Sequence, residues 1–121
     1  MIQTFIVSLH KNVILYINVM VRDYRNEIKN TVLHKRPDAK VYLFGSRARG
    51  TERLNSDWDV IVVVNENTIS PAVFAEIGNP LYDLAIDRDI EINPIIYTEK
   101  QWNNQHPTLF KHNLETEAIR L

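Results

Sequence analysis

The order of residue patterns predicts a small α/β domain. Three features carry that expectation: an apolar stripe at helical spacing ahead of Pro37, two short β-rich runs at Lys40–Phe44 and Trp58–Val64, and a helical stretch opened by Pro71 that leads into a third strand. A chain of 121 residues fits one domain, and an apolar share of 45% supports one core.

The stripe comprises Ile2, Phe5, Ile6, Leu9, Val13, Tyr16, Ile17, Met20, Tyr24 and Ile28, in steps of three and four. Its helix ends before Pro37, because a proline pushes the preceding residue, Arg36, out of helical geometry. Gln3, His10, Lys11, Asn12 and Asn18 interrupt the stripe, so it falls short of the roughly 18 apolar residues a membrane span needs. No positive charge precedes it and no small-residue cleavage site follows, so a cytoplasmic location and no membrane partner are expected.

Lys40–Phe44 reads as a strand stopped by Gly45-Ser46, and residues 47–56 as a polar loop with room for one helical turn. Trp58–Val64 is the clearest strand, buried on both faces, and Asn65–Ser70 is a turn. Pro71 suits the first position of a second helix; Gly78-Asn79-Pro80 should break it, with Asn79 capping a restart that runs to about Asp87. Asp89–Tyr97 alternates as a third strand, with Asp89, Glu91 and Asn93 on one face, and Pro94 argues for an edge position. A short helix at Glu99–Asn104 and another after Pro107 complete the chain.

The chemistry concentrates between residues 45 and 59. A strand ending at Gly45-Ser46 and followed by a helical turn offers backbone N–H groups to an anion, with the Ser46 hydroxyl as a further donor. Arg47, Arg49 and Arg53 add positive charge beside the same loop, which suits a triphosphate. Asp57 and Asp59, two apart at the head of a strand, leave the same face. Carboxylates that close repel unless a cation lies between them, and hard oxygen ligands select Mg²⁺ or Mn²⁺. A lone Asp-x-Asp is most often structural; phosphate donors, arginines and an acid pair joined by one loop describe phosphoryl or nucleotidyl transfer.

Gly-Ser, ten residues, then Asp-x-Asp resembles the signature of the DNA polymerase beta-like nucleotidyltransferase superfamily. The fuller form, Gly45-Ser46-Arg47-Ala48-Arg49-Gly50 with Ser56-Asp57-Trp58-Asp59-Val60, is similar to its minimal single-domain (MNT) branch, which includes antitoxins often paired with HEPN toxins. The resemblance covers residues 38–98 and implies a mixed sheet flanked by helices. It implies Mg²⁺-dependent transfer of a nucleoside monophosphate, AMP from ATP being the first choice, with release of pyrophosphate. Gly45 and Ser46 would position the triphosphate, with Arg47 and Arg49 beside them, and Asp57 and Asp59 would ligate metal. A third family carboxylate on a later strand, which binds the catalytic metal and helps activate the acceptor hydroxyl, maps to Glu91, with Asp89 as the alternative if the register shifts by two.

A protein partner of the HEPN kind, or a second copy, would supply the acceptor surface, since the chain has no room for an acceptor-binding domain. The N-terminal helix and the aromatic C-terminal segment are the candidate contact surfaces. A non-catalytic binding module and a transferase acting on a small molecule or RNA end are the competing readings. The formal charge of −1 gives no strong nucleic-acid signal, and the absence of cysteine excludes thiol chemistry. The histidines (His10, His34, His106, His112) lack ligand spacing, Asp83 and Asp87 suit a solvated helix face, and Trp58 and Trp102 suit packing.

Overall fold

A computed structural model describes the chain at residues 23–104 and 117–121. In chain order the elements are α1 (Arg25–Lys35), β1 (Lys40–Phe44), α2 (Ser46–Arg49), β2 (Trp58–Val64), α3 (Pro71–Arg88), β3 (Ile92–Thr98), α4 (Glu99–Asn104) and β4 (Ile119–Arg120). The strands form one mixed sheet in the order β3-β2-β1-β4. β1 runs antiparallel to both β2 and β4, and β2 runs parallel to β3. The parallel pair needs a crossover, which α3 supplies.

β2 organises the core. Period-two alternation sends Trp58, Val60, Val62 and Val64 to one face and Ile61 and Val63 to the other. The first face packs on Ile28 and Val32 of α1 and on Ile77, Leu81 and Ala85 of α3. The second is covered by Tyr42, Phe44, Ile95, Tyr97 and Trp102, so Trp102 packs against the sheet, tilted over Tyr42 and Tyr97. Each fully buried Val or Ile contributes about 1.5–3 kcal/mol, and β2 holds five of them in a row from Val60 to Val64.

Helix ends follow local chemistry. α1 stops at Lys35, and Arg36 leaves helical geometry before Pro37. Ser70 caps α3, its Oγ accepting the Val73 N–H at 3.1 Å, and Pro71 is the first helical residue. Asp89 ends the helix in left-handed geometry (φ 53°). The expected break at Gly78-Asn79-Pro80 does not occur: α3 is continuous from Pro71 to Arg88. Ile77, Leu81 and Ala85 form one buried stripe across the proline, and that packing outweighs the local cost of Pro80. Gly78 is buried with the Phe74 ring close to where a Cβ would stand, which explains a glycine inside the helix.

The third strand begins three residues later than expected, at Ile92, because Asp89 belongs to the helix cap. It lies at the sheet edge, where Pro94 costs no ladder bond on its outer side. Arg36 bridges the helical layer, its guanidinium bound twice to Glu76 at 3.0 Å and paired with Glu66 at 2.7 Å. That fork holds the Glu76 carboxyl below its ordinary pKa. Arg88 meets Glu27 in the same way across α3 and α1. His34, Asp83 and Asp87 are exposed. The N-terminal stripe up to Met20, the segment after Pro107, and His10, His106 and His112 lie outside the described residues.

Leu81 is fully buried and Ile86, five residues on, is 78% exposed. Leu81→Ala should therefore lower unfolding free energy by about 2–5 kcal/mol, whereas Ile86→Ala should stay within about 0.5 kcal/mol of wild type. Urea denaturation distinguishes them, and equal effects would mean that α3 is docked on a different face.

Candidate active site

The antiparallel register sets Phe44 opposite Asp59, so Gly45, the next residue, lies against the Asp59 carboxylate. A Cβ at Gly45 would overlap Asp59 Oδ2, and the backbone there has φ 77°. Both facts require glycine. From Gly45 the chain enters the single turn of α2, whose carbonyl at Gly45 accepts the N–H groups of Ala48 and Arg49. Ser46 opens that turn, where the first N–H groups have no acceptor within the helix. Gly50 closes it in left-handed geometry (φ 73°).

Gly45, Ser46, Arg49, Asp57 and Asp59 line one open pocket, together with Phe44, Asn55 and Ser56. The acid pair and the glycine–serine turn, separated in sequence by ten residues, thus face the same space. Asp57 and Asp59 share the sheet face of Ile61 and Val63, opposite Trp58. Their oxygens converge on one atom: Asn93 Nδ2 donates to Asp57 Oδ2 at 3.1 Å and to Asp59 Oδ1 at 3.2 Å. A donor set of two carboxylates turned to a common point fits a hard divalent cation.

Glu91 immediately precedes β3, and its carbonyl accepts the Trp58 N–H at 2.8 Å. Its carboxyl lies beside Asp57, whose hydrogen bond and negative charge raise the Glu91 pKa above the ordinary 4.5. Asp89, the alternative third acid, is in the α3 cap and lines a neighbouring pocket with Leu54 and Ile90. Among the described residues no three His, Cys, Asp or Glu side chains gather into a metal-holding group. Asn93 is the site-facing residue that the sequence motif does not flag. Its signal was the alternation of the third strand, which puts it on the face of Glu91.

The two arginines beside the turn part company. Arg49 is half-exposed at the pocket and pairs with Glu117 at 3.1 Å. Arg47 is buried and points inward, its guanidinium 4.3 Å from the centre of the Trp58 ring. It donates to the Ser56 carbonyl at 2.9 Å and to that of Leu54 at 3.5 Å. Arg47 is therefore a brace that ties the loop before Asp57 to α2, and is not placed to meet a phosphate. Tyr24 meets the same Trp58 edge-on, which links the brace to the residue just ahead of α1. Arg53 contributes its backbone N–H to Ser56 Oγ, a loop contact.

The glycine–serine turn and the acid pair lie together at one end of a mixed sheet. Residues 25–111 match the family model of the nucleotidyltransferase domain, and the chain belongs to that family. Among solved structures, a toxin–antitoxin with AMP-PNP superposes with a TM-score of 0.58 at 22% identity, over 78% of this chain and 69% of that one. Two mutants of the toxin–antitoxin MntA–HpeT give TM-scores of 0.56 and 0.57 at 22% and 20% identity. They cover 79% and 78% of this chain and 69% of their own. At such identities the similarity speaks to the fold. No curated protein sequence matches the chain. No helix among the described residues is long and apolar enough to cross a membrane.

Two outcomes follow from this geometry. Arg47→Lys removes the planar fork and the stacked cation, and should cost about 1–3 kcal/mol of stability; Arg49→Ala should stay within about 0.5 kcal/mol in thermal unfolding while weakening triphosphate binding. The raised Glu91 pKa also has a sign. The folded chain holds that proton more tightly than the unfolded chain, so the contribution is full below the ordinary 4.5 and is lost as pH rises through the raised value. With divalent cations chelated, Glu91→Gln should flatten that part of the melting-temperature profile; an unchanged profile would place the repulsion elsewhere.

Proposed function

We propose that this chain transfers AMP from ATP, with Mg²⁺, to a hydroxyl group on a partner protein in a toxin–antitoxin setting. One observation carries the reading: Gly45, Ser46 and Arg49 share a pocket with Asp57 and Asp59. The AMP-PNP of one solved toxin–antitoxin of this fold supports ATP as donor, and the paired nature of all three supports a protein partner.

In this mechanism the α2 turn and Ser46 hydroxyl bind the β and γ phosphates, and Arg49 supplies countercharge once it leaves Glu117. Asp57 and Asp59 would hold Mg²⁺ (Mn²⁺ would serve) at the sheet end beside the triphosphate. The cation, when bound, neutralises phosphate charge and lowers the pKa of a nearby hydroxyl. Glu91, the third carboxylate, lies on the Asp57 side and takes the acceptor proton at its carboxylate oxygen. The acceptor oxygen bonds to the α-phosphorus as the bond to the β-phosphate oxygen breaks, and pyrophosphate departs with the electron pair.

A second reading, a module that binds nucleotide or partner without transfer, draws on Asn93: an amide stands beside Asp59 on the strand where a third acid is expected.

The decisive measurement pairs melting temperature with label transfer from α-phosphate-labelled ATP to co-purified protein. ATP with Mg²⁺ at about 100 times Kd should stabilise the fold by roughly 2.7 kcal/mol. Asp59→Asn should abolish that shift and lower transfer by more than the about 100-fold that loss of a metal's outer-shell partner costs. A shift without transfer selects the binding module. Near wild-type transfer by Asp59→Asn would refute the site assignment.

A further inference from the structure

Four side chains, those of Asp57, Asp59, Glu91 and Asn93, lie at the end of the β2–β3 pair. The parallel register sets Asp59 beside Asn93, and the backbone bond from Trp58 to Glu91 sets Asp57 beside Glu91. Alternation puts all four on the same sheet face. Three of them are acids and the fourth is an amide. That amide already reaches both aspartates, bridging Asp57 Oδ2 and Asp59 Oδ1 through one nitrogen.

We propose that Asn93 is the third protein ligand of the cation held by Asp57 and Asp59, binding through its amide oxygen. The proposal rests on the nucleotidyltransferase reading above and names a residue that reading does not use. An amide is two-ended, with a donor nitrogen and an acceptor oxygen of nearly equal size. Half a turn about χ2 brings Oδ1 to the place that Nδ2 holds, without moving the backbone. Asn93 is exposed and sits on the edge strand, where its side chain is open to solvent for that turn. Amide oxygens are ordinary ligands for hard cations.

The charge count gives the consequence. Within the proposed ligand set, Asp57, Asp59 and a neutral oxygen just balance a divalent cation, whereas a carboxylate at position 93 would overbalance it and tighten binding in the absence of nucleotide. With Asn93 in place, the site holds the bare cation weakly and gains affinity when triphosphate oxygens join the ligand set. The residue thus makes cation binding depend on the nucleotide.

Mn²⁺ titration without nucleotide, read by the spectroscopic signal of the free ion, tests this on the intact chain. Asn93→Asp should tighten Mn²⁺ and Asn93→Ala should weaken it, each by about 10- to 100-fold; Asp59→Asn is the control for the site itself. If both Asn93 variants bind Mn²⁺ as wild type does while Asp59→Asn loses it, the Asn93 inference is overturned and the acid pair stands. Unchanged binding by Asp59→Asn would overturn both. Melting curves provide a second arm independent of affinity. With chelator, Asn93→Asp should melt below wild type because a further carboxylate joins those of Asp57, Asp59 and Glu91, and Mn²⁺ should restore it. An Asn93→Asp variant as stable as wild type in chelator would show that the three side chains do not share one point, and would sink the proposal.

Discussion

The pairing of Phe44 with Asp59 is the contact on which the site depends. It delivers Gly45 to the Asp59 carboxylate at a separation that tolerates no side chain. A turn that can face phosphates and a pair of acids that can face metal would otherwise be two unrelated loops. The antiparallel ladder makes them one surface, and the ladder is secured by the burial of β2 on both faces. Hydrophobic burial from Val60 to Val64 therefore sets the position of a charged group just ahead of it in the chain.

Electrostatics shapes the rest of that sheet end. Asp57, Asp59 and Glu91 bring negative charge together, and the hydrogen bond with Asp57, followed by its negative charge, raises the pKa of Glu91. The Asn93 amide offsets part of it by donating to both aspartates. The sheet face that carries these groups is the one not covered by α1 and α3, which leaves the acids in reach of solvent and of ligands. On the opposite face, Trp58 joins the core and carries the Arg47 guanidinium on its ring. A cation that the motif offers to phosphate is instead consumed in holding Ser56 and Leu54, and so in aiming Asp57.

Two corrections to the sequence reading share one cause. The Gly78-Asn79-Pro80 triplet is a helix breaker by local propensity, yet α3 runs through it because Ile77, Leu81 and Ala85 remain on one buried stripe. Arg47 reads as a cation beside the glycine–serine loop, suited to a triphosphate, yet it is buried because Trp58 and two carbonyls receive it. In each case contacts between distant elements outweigh what neighbours in sequence prescribe. The same limit applies to Glu117, whose pairing with Arg49 spans 68 residues and has no local signature.

What the sequence by itself determined is whatever depends on neighbours and on periodicity. The bounds of β1, β2 and α4, the start of α3 at Pro71, the end of α1 before Pro37, and the shared face of Asp57 and Asp59 all follow from side-chain alternation, capping and proline sterics. The glycine–serine turn and the Asp-x-Asp pair were equally visible, as a spaced motif. Only the tertiary structure decided which residues those groups meet. It turned Arg47 inward, left Arg49 at the pocket, moved Asp89 into a helix cap, and set Asn93 against both aspartates. The physical reason is that register between strands and docking of helices are settled by the whole core at once, so the partner of a side chain is a property of the fold and not of its place in the chain.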